Sequence, residues 1–439
     1  MTYWLKSSAG LTRAAILSMV SVAALPALAG GLLAYEVGTE DMGLASAGMA
    51  VRAADASTVF SNPAGMTHLE GDQFVVGSQL LYTNTRFSPE PGISPRLGTG
   101  DGGRAGGLNG FFPGGGLFYS HSVSPDVKLG FAATGNFGAK LKFDDNWVGR
   151  YYGKESTLVG VSFLPSAALR VNEQLSVGAS VNIMRGYLKS VTAVNNVAPG
   201  LADGQLKVSD SAWGIGGTLG MQYQATPDTR VGLTYSLPIK LNFESPAEFS
   251  GVGPGLSAVL GARGLLNANV KLGVTVPQSL MFSAMHQLNS RWTLLGNVGW
   301  QQWSKFGKVD VGIDSNNPNN ITTNVDFKDT WHTAVGAQYQ LDGKTRLNFG
   351  VAYDSKFQSG NYVSPLLPAN AAWRFGTGLR QQVSKSFSWG VAAEYLYGGT
   401  LDVNKQASIP VALGGRGNLV GSYKNLGTIF TSATFDWKF

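Results

Sequence analysis

Runs in which apolar and polar residues strictly alternate recur along the chain, and they limit the available folds more than any other feature. One example is "RVGLTYSLPIKLNF", from Arg230 to Phe243. Successive side chains of a β-strand point to opposite faces, so this run predicts one strand with an apolar face. That face carries Val231, Leu233, Tyr235, Leu237, Ile239, Leu241 and Phe243. The length exceeds a typical globular strand and suits a tilted strand that crosses a bilayer and extends beyond it.

The connections between these runs are short and long in alternation. Short polar turns lie at 124–127, 172–174, 226–229, 289–291, 342–344 and 384–386. Longer loops lie near 88–112, 140–155, 190–210, 244–273, 305–326, 358–371 and 403–421. Six turns and seven loops make thirteen connections, hence fourteen strands. Because outer-membrane barrels have short periplasmic turns and long outer loops, the sequence predicts an all-β, 14-stranded antiparallel transmembrane β-barrel. "LSAVLGARGLLNANV" in the fourth long loop predicts a short helix over the outer mouth.

Composition agrees with a barrel and excludes several other classes. Only 14% of residues are charged, Gly is abundant at 59 residues, and no long apolar run follows the N-terminus. The absence of Cys excludes disulfides and thiolate metal sites. Basic residues are scattered, so we expect no nucleic-acid partner. The four His are far apart, and no nucleophile elbow, P-loop or metal-ligand spacing occurs, so we expect neither an enzyme nor a cofactor or metal.

The two ends of the chain carry export signals. Lys6 and Arg13 accompany the short apolar stretch "AAILSMVSVAAL", which precedes Ala27 and Ala29. This pattern predicts a signal peptide over residues 1–29, too short in its apolar core for a membrane anchor. At the other end, aromatic residues alternate up to Phe439. Such an ending is similar to the signal read by the outer-membrane assembly machinery, although it is also an ordinary last strand.

Residues 30–70 lie between the signal peptide and the first strand and do not alternate. They carry few charges and several apolar residues, so we expect a plug (hatch) inside a barrel of residues 71–439, rather than a disordered tail. The stretch Asn62, Pro63, Ala64 and Gly65 predicts a turn from the lumen to the wall. Pro63 fixes its own φ and disfavours helix at Asn62, and Gly65 leaves room.

The mature chain resembles the FadL family of outer-membrane long-chain fatty-acid and hydrocarbon transporters, including its TodX-like aromatic-hydrocarbon branch. The resemblance rests on the order and spacing of several short motifs. They are "NPAG" at 62–65, "GNFG" at 135–138, "SFLPSAALRVNEQLSVGASV" at 162–181, "TPDTRVGLTYS" at 226–236, "LPIKLNFES" at 237–245, "WQQWSKF" at 300–306 and "FKDTWHTAVGAQY" at 327–339. It implies a hatch with an Asn-Pro-Ala element and a third strand that kinks inward. The kink would open a gap through which a captured hydrophobic ligand leaves sideways.

The third strand carries a candidate for this kink. Gly135, Asn136, Phe137 and Gly138 lie mid-strand, where Gly marks a bulge or bend. The alternative is that these Gly residues only relieve crowding in the barrel. We expect the turn at 62–65 to face this gap.

A fatty acid also needs a cation, because a buried unpaired carboxylate is costly. Alternation places Lys328 toward the lumen, and the matching stretch of the family supplies a ligand-pocket lysine. An ion pair with a hatch or loop carboxylate is the alternative. The resemblance also implies Arg185, yet alternation places it on the lipid face with Val181. Either a bulge near Gly186 changes the register, or Arg185 lies beside lipopolysaccharide phosphates. Five further charged residues are lumenal by alternation and are expected to hold the plug: Arg346, Arg374, Arg380, Glu394 and Asp436.

These features predict an integral protein of the Gram-negative outer membrane that takes up hydrophobic molecules passively. Long-chain fatty acids are the first candidate ligand, and monoaromatic hydrocarbons or alkanes are the alternative. Its other expected partners are outer-membrane lipid, lipopolysaccharide and the assembly machinery. Two further alternatives stay open: a structural or receptor barrel without an internal ligand, and a water-filled porin.

Overall fold

The computed structural model describes residue 33 and residues 35–94, 97, 107–197, 200–266, 268–315, 319–324, 326–358 and 360–439. The predicted signal peptide, residues 1–29, lies outside the described residues. Within the described part of the chain, no helix is long and apolar enough to cross a membrane.

Fourteen long strands of the described residues close into one antiparallel ring, which confirms the predicted barrel. Along the ring they are β1 Gln73–Pro89, β2 Gly107–Ser122, β3 Val127–Lys142, β4 Glu155–Arg170, β5 Leu175–Val194, β6 Gly204–Thr226, β7 Thr229–Ser236, β11 Ser279–Gln287, β12 Trp292–Gln301, β15 Thr330–Gln340, β16 Thr345–Asp354, β17 Ala372–Gln382, β18 Phe387–Lys405 and β19 Leu419–Lys438. Strand β19 pairs with β1 from Lys438 opposite Gln73, which closes the ring. Because the first and last strands pair, the sheet has no free end strand, as a bilayer requires.

The outer face of the ring is apolar and carries aromatic residues near both rims. On β6, Trp213, Ile215 and Leu219 are 55, 69 and 57% exposed. The rings of Tyr353 and Trp373 lie 5.1 Å apart toward one rim. Trp292 and Tyr339 form a similar pair at the other rim. Aromatic girdles at the two membrane interfaces are typical of transmembrane barrels.

The alternating run from Arg230 to Phe243 is not one strand but two. Strand β7 ends at Ser236, and a new strand, β8 Ile239–Pro246, begins after Pro238. Proline has no N–H to donate to the sheet and its ring fixes φ, so it ends pairing in the wall. Ile239 and Leu241 are therefore buried, at 3 and 0% exposure, instead of facing lipid.

Strand β8 belongs to a second, four-stranded sheet built from the long loops. Its other members are β10 Asn269–Val276, β13 Lys308–Asp314 and β14 Asn319–Asn324, in the order β14-β13-β10-β8. The apolar face of β8 packs on the inner face of the wall, where Gly186 lies against Leu241 and Phe243. The short strand β9 Glu248–Ser250 pairs with β6. These loops therefore fold back over the mouth of the ring.

The described helices are short and lie at the ends of the barrel or inside it. They are α1 Thr58–Ser61, α2 Pro254–Ala262 and α3 Trp303–Phe306, with 3-10 turns at Glu40–Leu44, Pro63–His68, Gly360–Tyr362 and Val411–Leu413. Helix α2 confirms the helix predicted in the fourth long loop, and it buries Leu256 and Leu260.

Residues 35–68 contact the inner faces of strands on several sides of the ring. The backbone at Gly38 approaches Gly77 of β1, and Leu44 approaches Gly350 of β16. A Cβ atom on Gly350 would clash with the Leu44 carbonyl oxygen, so glycine is needed for this approach. These contacts place the segment within the ring. Its role as a movable plug stays a prediction.

The C-terminal Phe439 is 78% exposed, and its N–H donates to the Asp72 carbonyl at 2.9 Å. Its reading by the assembly machinery stays a prediction.

Candidate functional site

The Asn62 side chain holds the turn that leads from the N-terminal segment to the wall. Its Oδ1 accepts from the Ala64 N–H at 3.1 Å, and its Nδ2 donates to the carbonyls of Ala50 at 2.6 Å and Met221 at 3.1 Å. Pro63 then begins the 3-10 turn Pro63–His68. One fully buried amide thus joins two parts of the segment to β6.

This turn lies against β5 and β6, not against the "GNFG" stretch of β3. A Cβ atom on Gly178 of β5 would lie 2.5 Å from the Ala64 nitrogen. A Cβ atom on Gly220 of β6 would likewise clash with the side chain of Asn62, at 2.0 Å from its Oδ1, and would crowd Pro63. The expectation that the turn faces residues 135–138 is therefore wrong, because inward-facing glycines on two other strands provide the space for it.

Buried ion pairs hold the preceding part of the segment to the opposite wall. Glu40 accepts from Arg346 at 2.7 Å and from Arg52 at 2.9 Å. Arg380 of β17 contacts Asp55 at 2.7 Å and also pairs with Glu40 and Asp436. The lumenal positions predicted from alternation for Arg346, Arg380 and Asp436 are thus confirmed, and the two arginines contact acidic residues of the segment.

A second buried cluster surrounds Arg374. Its guanidinium contacts Asp354 at 2.6 Å, Glu394 at 3.0 Å and Glu36 at 3.1 Å. His332 Nδ1 lies 2.7 Å from Asp354. Three carboxylates around one arginine leave no surplus positive charge on this guanidinium for an anionic ligand.

Strand β3 is irregular where the motif "GNFG" lies. Its pairing with β4 changes register between Gly135 and Phe137, so Asn136 is the extra residue of a bulge. Gly138 has φ of 118°, a conformation that side chains disfavour. As a result Phe131 faces outward and is 45% exposed, whereas Phe137 beyond the bulge is buried.

Strands β2 and β3 separate at the same level. Their pairing extends from Ser122 opposite Lys128 to Gly116 opposite Thr134. Beyond that point, β2 pairs with β1 and β3 pairs with β4. In the described residues, the wall is therefore open between these two strands over their extracellular halves.

A cavity of about 400 Å³, here called the lateral cavity, occupies this opening. Its walls are mostly apolar and include Leu81, Phe112, Pro113, Phe137, Val159 and Phe430. Glu36, Arg374 and Lys140 also reach it. Arg374 and Glu36 are paired with each other as described above.

A second cavity of about 90 Å³, the inner cavity, lies inside the ring. Its lining includes Tyr35, Met49, Phe60, Met184, Met281 and Trp300. The described residues that line it include Asn, Gln, Ser and Thr, and none of them is charged. Such a lining suits an apolar ligand or an apolar part of one.

Leu33 and Asn136 line both cavities. Leu33 also forms an antiparallel β-bridge with Phe137. The first described residue of the N-terminal segment therefore lies at the boundary between the two cavities. Sequence reasoning missed Leu33, because its position depends on a pairing more than 100 residues away.

Neither predicted head-group residue lines these cavities. Lys328 lies in the linker before β15, and its side chain is exposed. Arg185 lies on the outer face of β5, with its guanidinium carbon 5.1 Å from the centre of the Trp213 ring. The pairing of β5 with β6 is continuous through Gly186, so no bulge turns Arg185 inward. A lumenal Arg185 is wrong; the alternative, a position on the outer face, is what the structure has.

Comparison with known proteins agrees with this architecture. A model of the outer membrane protein transport protein family (OMPP1/FadL/TodX) matches residues 20–439. Outer membrane protein P1 of Haemophilus influenzae is 25% identical over 403 residues, covering 83% of this chain and 85% of that protein. A long-chain fatty acid transport protein of Escherichia coli is 23% identical, covering 90% of this chain and 94% of that one.

Two solved structures show the same fold. A Pseudomonas aeruginosa FadL homologue superposes with a TM-score of 0.80 at 21% identity, over 93% of this chain and all of that chain. The Pseudomonas putida toluene transporter TodX has a TM-score of 0.66 at 17% identity, over 91% of this chain and 99% of that chain. With the family match over most of its length and the closed ring of strands, this chain belongs to the OMPP1/FadL/TodX family of outer-membrane transport proteins and is an integral protein of the Gram-negative outer membrane.

Proposed function

We propose that this protein takes up hydrophobic molecules passively and releases them sideways, between β2 and β3. The observation that carries the proposal is a pair of cavities, the lateral one mostly apolar and the inner one uncharged, that share Leu33 and Asn136 in their linings. A ligand would enter beneath the four-stranded sheet of the long loops (β8, β10, β13 and β14) and occupy the inner cavity. It would then pass Leu33 and reach the lateral cavity. Both cavities remove apolar surface from water, so transfer between them has a small free-energy cost.

The chemistry of the cavities bears on the ligand. A fatty acid has support from relatives named as long-chain fatty acid transport proteins. Its carboxylate would have to stay near the extracellular mouth, where Lys328 is exposed, because Arg374 is already paired with three carboxylates. Lys328 as the head-group residue stays a prediction.

A monoaromatic hydrocarbon or alkane is the second candidate, and the uncharged lining of the inner cavity favours it. Such a ligand leaves no charge to be buried, which removes the desolvation cost that a carboxylate carries. The alternative of a receptor or structural barrel predicts no internal ligand and no uptake.

Uptake by cells that lack the chromosomal gene tests the proposal. Cells that carry the intact gene should accumulate labelled oleate or labelled toluene faster than cells with an empty vector. Oleate uptake alone would identify the fatty-acid function, and toluene uptake alone the hydrocarbon function. Equal accumulation of both compounds with and without the gene would refute uptake.

Deleting Asn136 tests the sideways exit. Removal of the extra residue gives β3 continuous pairing with β4 and removes the bend, while Phe137 still faces inward opposite Gly160. We therefore expect the opening beside β2 to close and uptake to fall to the empty-vector level. Asn136→Ser keeps the bulge and serves as the matched control, which should retain uptake. Folding of both variants is checked by heat-dependent migration on gels. Normal uptake by a folded deletion variant would exclude exit at this place.

A further inference from the structure

Five cations cluster on the outer face of β3, β5 and β6, above the apolar band that faces lipid. The cluster, here called the basic patch, consists of Lys140, Lys142, Arg185, Lys189 and Lys207. Strand pairing brings the four lysines together in two rows that run across neighbouring strands. Lys140 pairs with Thr157, which pairs with Lys189. In the second row, Lys142 lies opposite Glu155, Glu155 lies opposite Val191, and Val191 lies opposite Lys207.

The bulge at Asn136 places two of the five cations in this patch. Before the bulge, even-numbered residues of β3 face inward, as the buried Ala132 and Thr134 show. The extra residue reverses the alternation, so Lys140 and Lys142 face outward and are exposed. The irregularity that separates β3 from β2 therefore also places two lysines on the outer surface beside the opening. Lys140 itself lines the lateral cavity.

The patch has an excess of positive charge. Glu155 pairs with Lys189 at 2.7 Å, and Glu248 pairs with Lys207 at 2.8 Å. Five cations and two carboxylates leave a net charge of +3. Among the described residues, no carboxylate forms an ion pair with Lys140, Lys142 or Arg185. Arg185 instead lies against the exposed Trp213 ring.

An apolar surface continues directly from the patch toward the membrane centre. Val161, Tyr187, Trp213, Ile215 and Leu219 are 40 to 69% exposed on the same outer face. A molecule that fits both surfaces is therefore amphipathic, with anionic groups at the level of the lysines and acyl chains on the apolar surface below.

The opposite wall lacks such a patch. On the outer faces of β7, β11, β12, β15, β16 and β17, all described over their full lengths, the extracellular halves carry no charged residue. Residues such as Leu280, Trp331, Tyr353 and Trp373 occupy these positions. These six strands therefore present no positive charge to the outer-leaflet surface that would correspond to the basic patch.

We propose that the basic patch binds the phosphate groups of a phosphorylated glycolipid of the outer leaflet, whose acyl chains lie on the apolar surface below. Lysine and arginine form charge-assisted hydrogen bonds with phosphate oxygens. Attraction between such cations and an anionic membrane surface is strongest within a Debye length of it. The bound lipid stands at the extracellular rim of the lateral cavity, so its acyl chains border the opening between β2 and β3.

Binding of lipopolysaccharide to the purified full-length barrel in detergent tests this site. The variant Lys140→Gln/Lys142→Gln/Arg185→Gln removes the three patch cations that form no ion pair with a described carboxylate, and it leaves Glu155 and Glu248 paired. Its control, Lys308→Gln/Lys356→Gln/Lys424→Gln, removes three exposed cations elsewhere on the extracellular side. Heat-dependent gel migration verifies that both variants fold.

We expect the patch variant to bind lipopolysaccharide roughly tenfold or more weakly than the intact protein, and the control to bind like it. Lipopolysaccharide freed of its phosphates should bind the intact protein as weakly as the patch variant binds the native lipid. Inorganic phosphate should not displace the lipid, since it lacks acyl chains. Equal loss in the two variants, undiminished binding of the dephosphorylated lipid, or displacement by inorganic phosphate would each overturn the proposal.

Discussion

Two parts of the N-terminal segment contact the barrel in different ways. Residues 36–55 place four buried carboxylates against arginines, of which Arg346, Arg374 and Arg380 belong to the wall. Leu33, at the other end, forms a single β-bridge with Phe137. Charge-assisted contacts in a buried region are costly to break singly, whereas one bridge at a cavity is not. Leu33, beside the lateral cavity, is therefore held less firmly to the wall than residues 36–55.

The largest expected effect comes from removing an arginine that pairs with residues 36–55. Arg374→Ala leaves Glu36, Asp354 and Glu394 buried without their shared cation, so we expect the free energy of unfolding to fall by about 3–5 kcal/mol. Urea unfolding of the purified barrel measures it. Arg346→Ala is the matched comparison, because Glu40 keeps Arg52, Arg380 and Asn348 as partners. That variant should lose about 1 kcal/mol. Equal losses would show that the Arg374 cluster is not what fixes the segment.

A smaller effect is expected at the Asn62 turn, which joins Ala50 of the segment to β6. Asn62→Ala/Pro63→Ala removes the hydrogen bonds to Ala50 and Met221 and the fixed backbone of Pro63. We expect reduced uptake of the transported compound with an assembled barrel, as measured by transport and by heat-dependent gel migration. Unchanged uptake would reduce the motif to a turn without a part in transport.

A still smaller effect is expected at Leu33, which a single β-bridge connects to β3. Leu33→Ala shortens the side chain that lies between the inner and lateral cavities. The initial uptake rate should rise, while the urea midpoint stays that of the intact protein. Leu413→Ala, at a residue that is 60% exposed in an extracellular turn, is a control that should change neither. A drop in stability for Leu33→Ala would mean that the start is held as firmly as residues 36–55.

The smallest expected effect concerns Lys405, at the extracellular end of β18. Burial, and secondly the nearby Arg416, lower the pKa of Lys405 to about 8. Because this folded-state pKa is below that of a free lysine, the contribution of Lys405 to stability rises as pH increases from about 8 toward ~10.5. Carbon-13 NMR of reductively methylated protein should show one lysine with a midpoint near 8. Arg416→Gln should raise that midpoint, and an unchanged midpoint would exclude the influence of Arg416.

Several features of the candidate site could be predicted from alternation alone. The inward direction of Arg374, Arg380 and Glu394 follows from a period of two in regular strands, and the structure places them there. The same rule places Arg185 outside, where it lies. The residues of the inner cavity could not be predicted, because they come from the N-terminal segment, the barrel wall and the strand ends beside the loop sheet. Contacts between such distant parts leave no local pattern.

By itself, the sequence determined the number of strands, their antiparallel order and the division of the wall into a lipid face and a lumenal face. These properties follow from side-chain direction and loop length, which are local. Only the tertiary structure decided that Ile239 and Leu241 leave the lipid face, that Asn62 lies against β5 and β6, and that Lys140 and Lys142 face outward. The physical reason is that a proline or one extra residue interrupts the alternation. The direction of the chain beyond such a point depends on packing with distant residues.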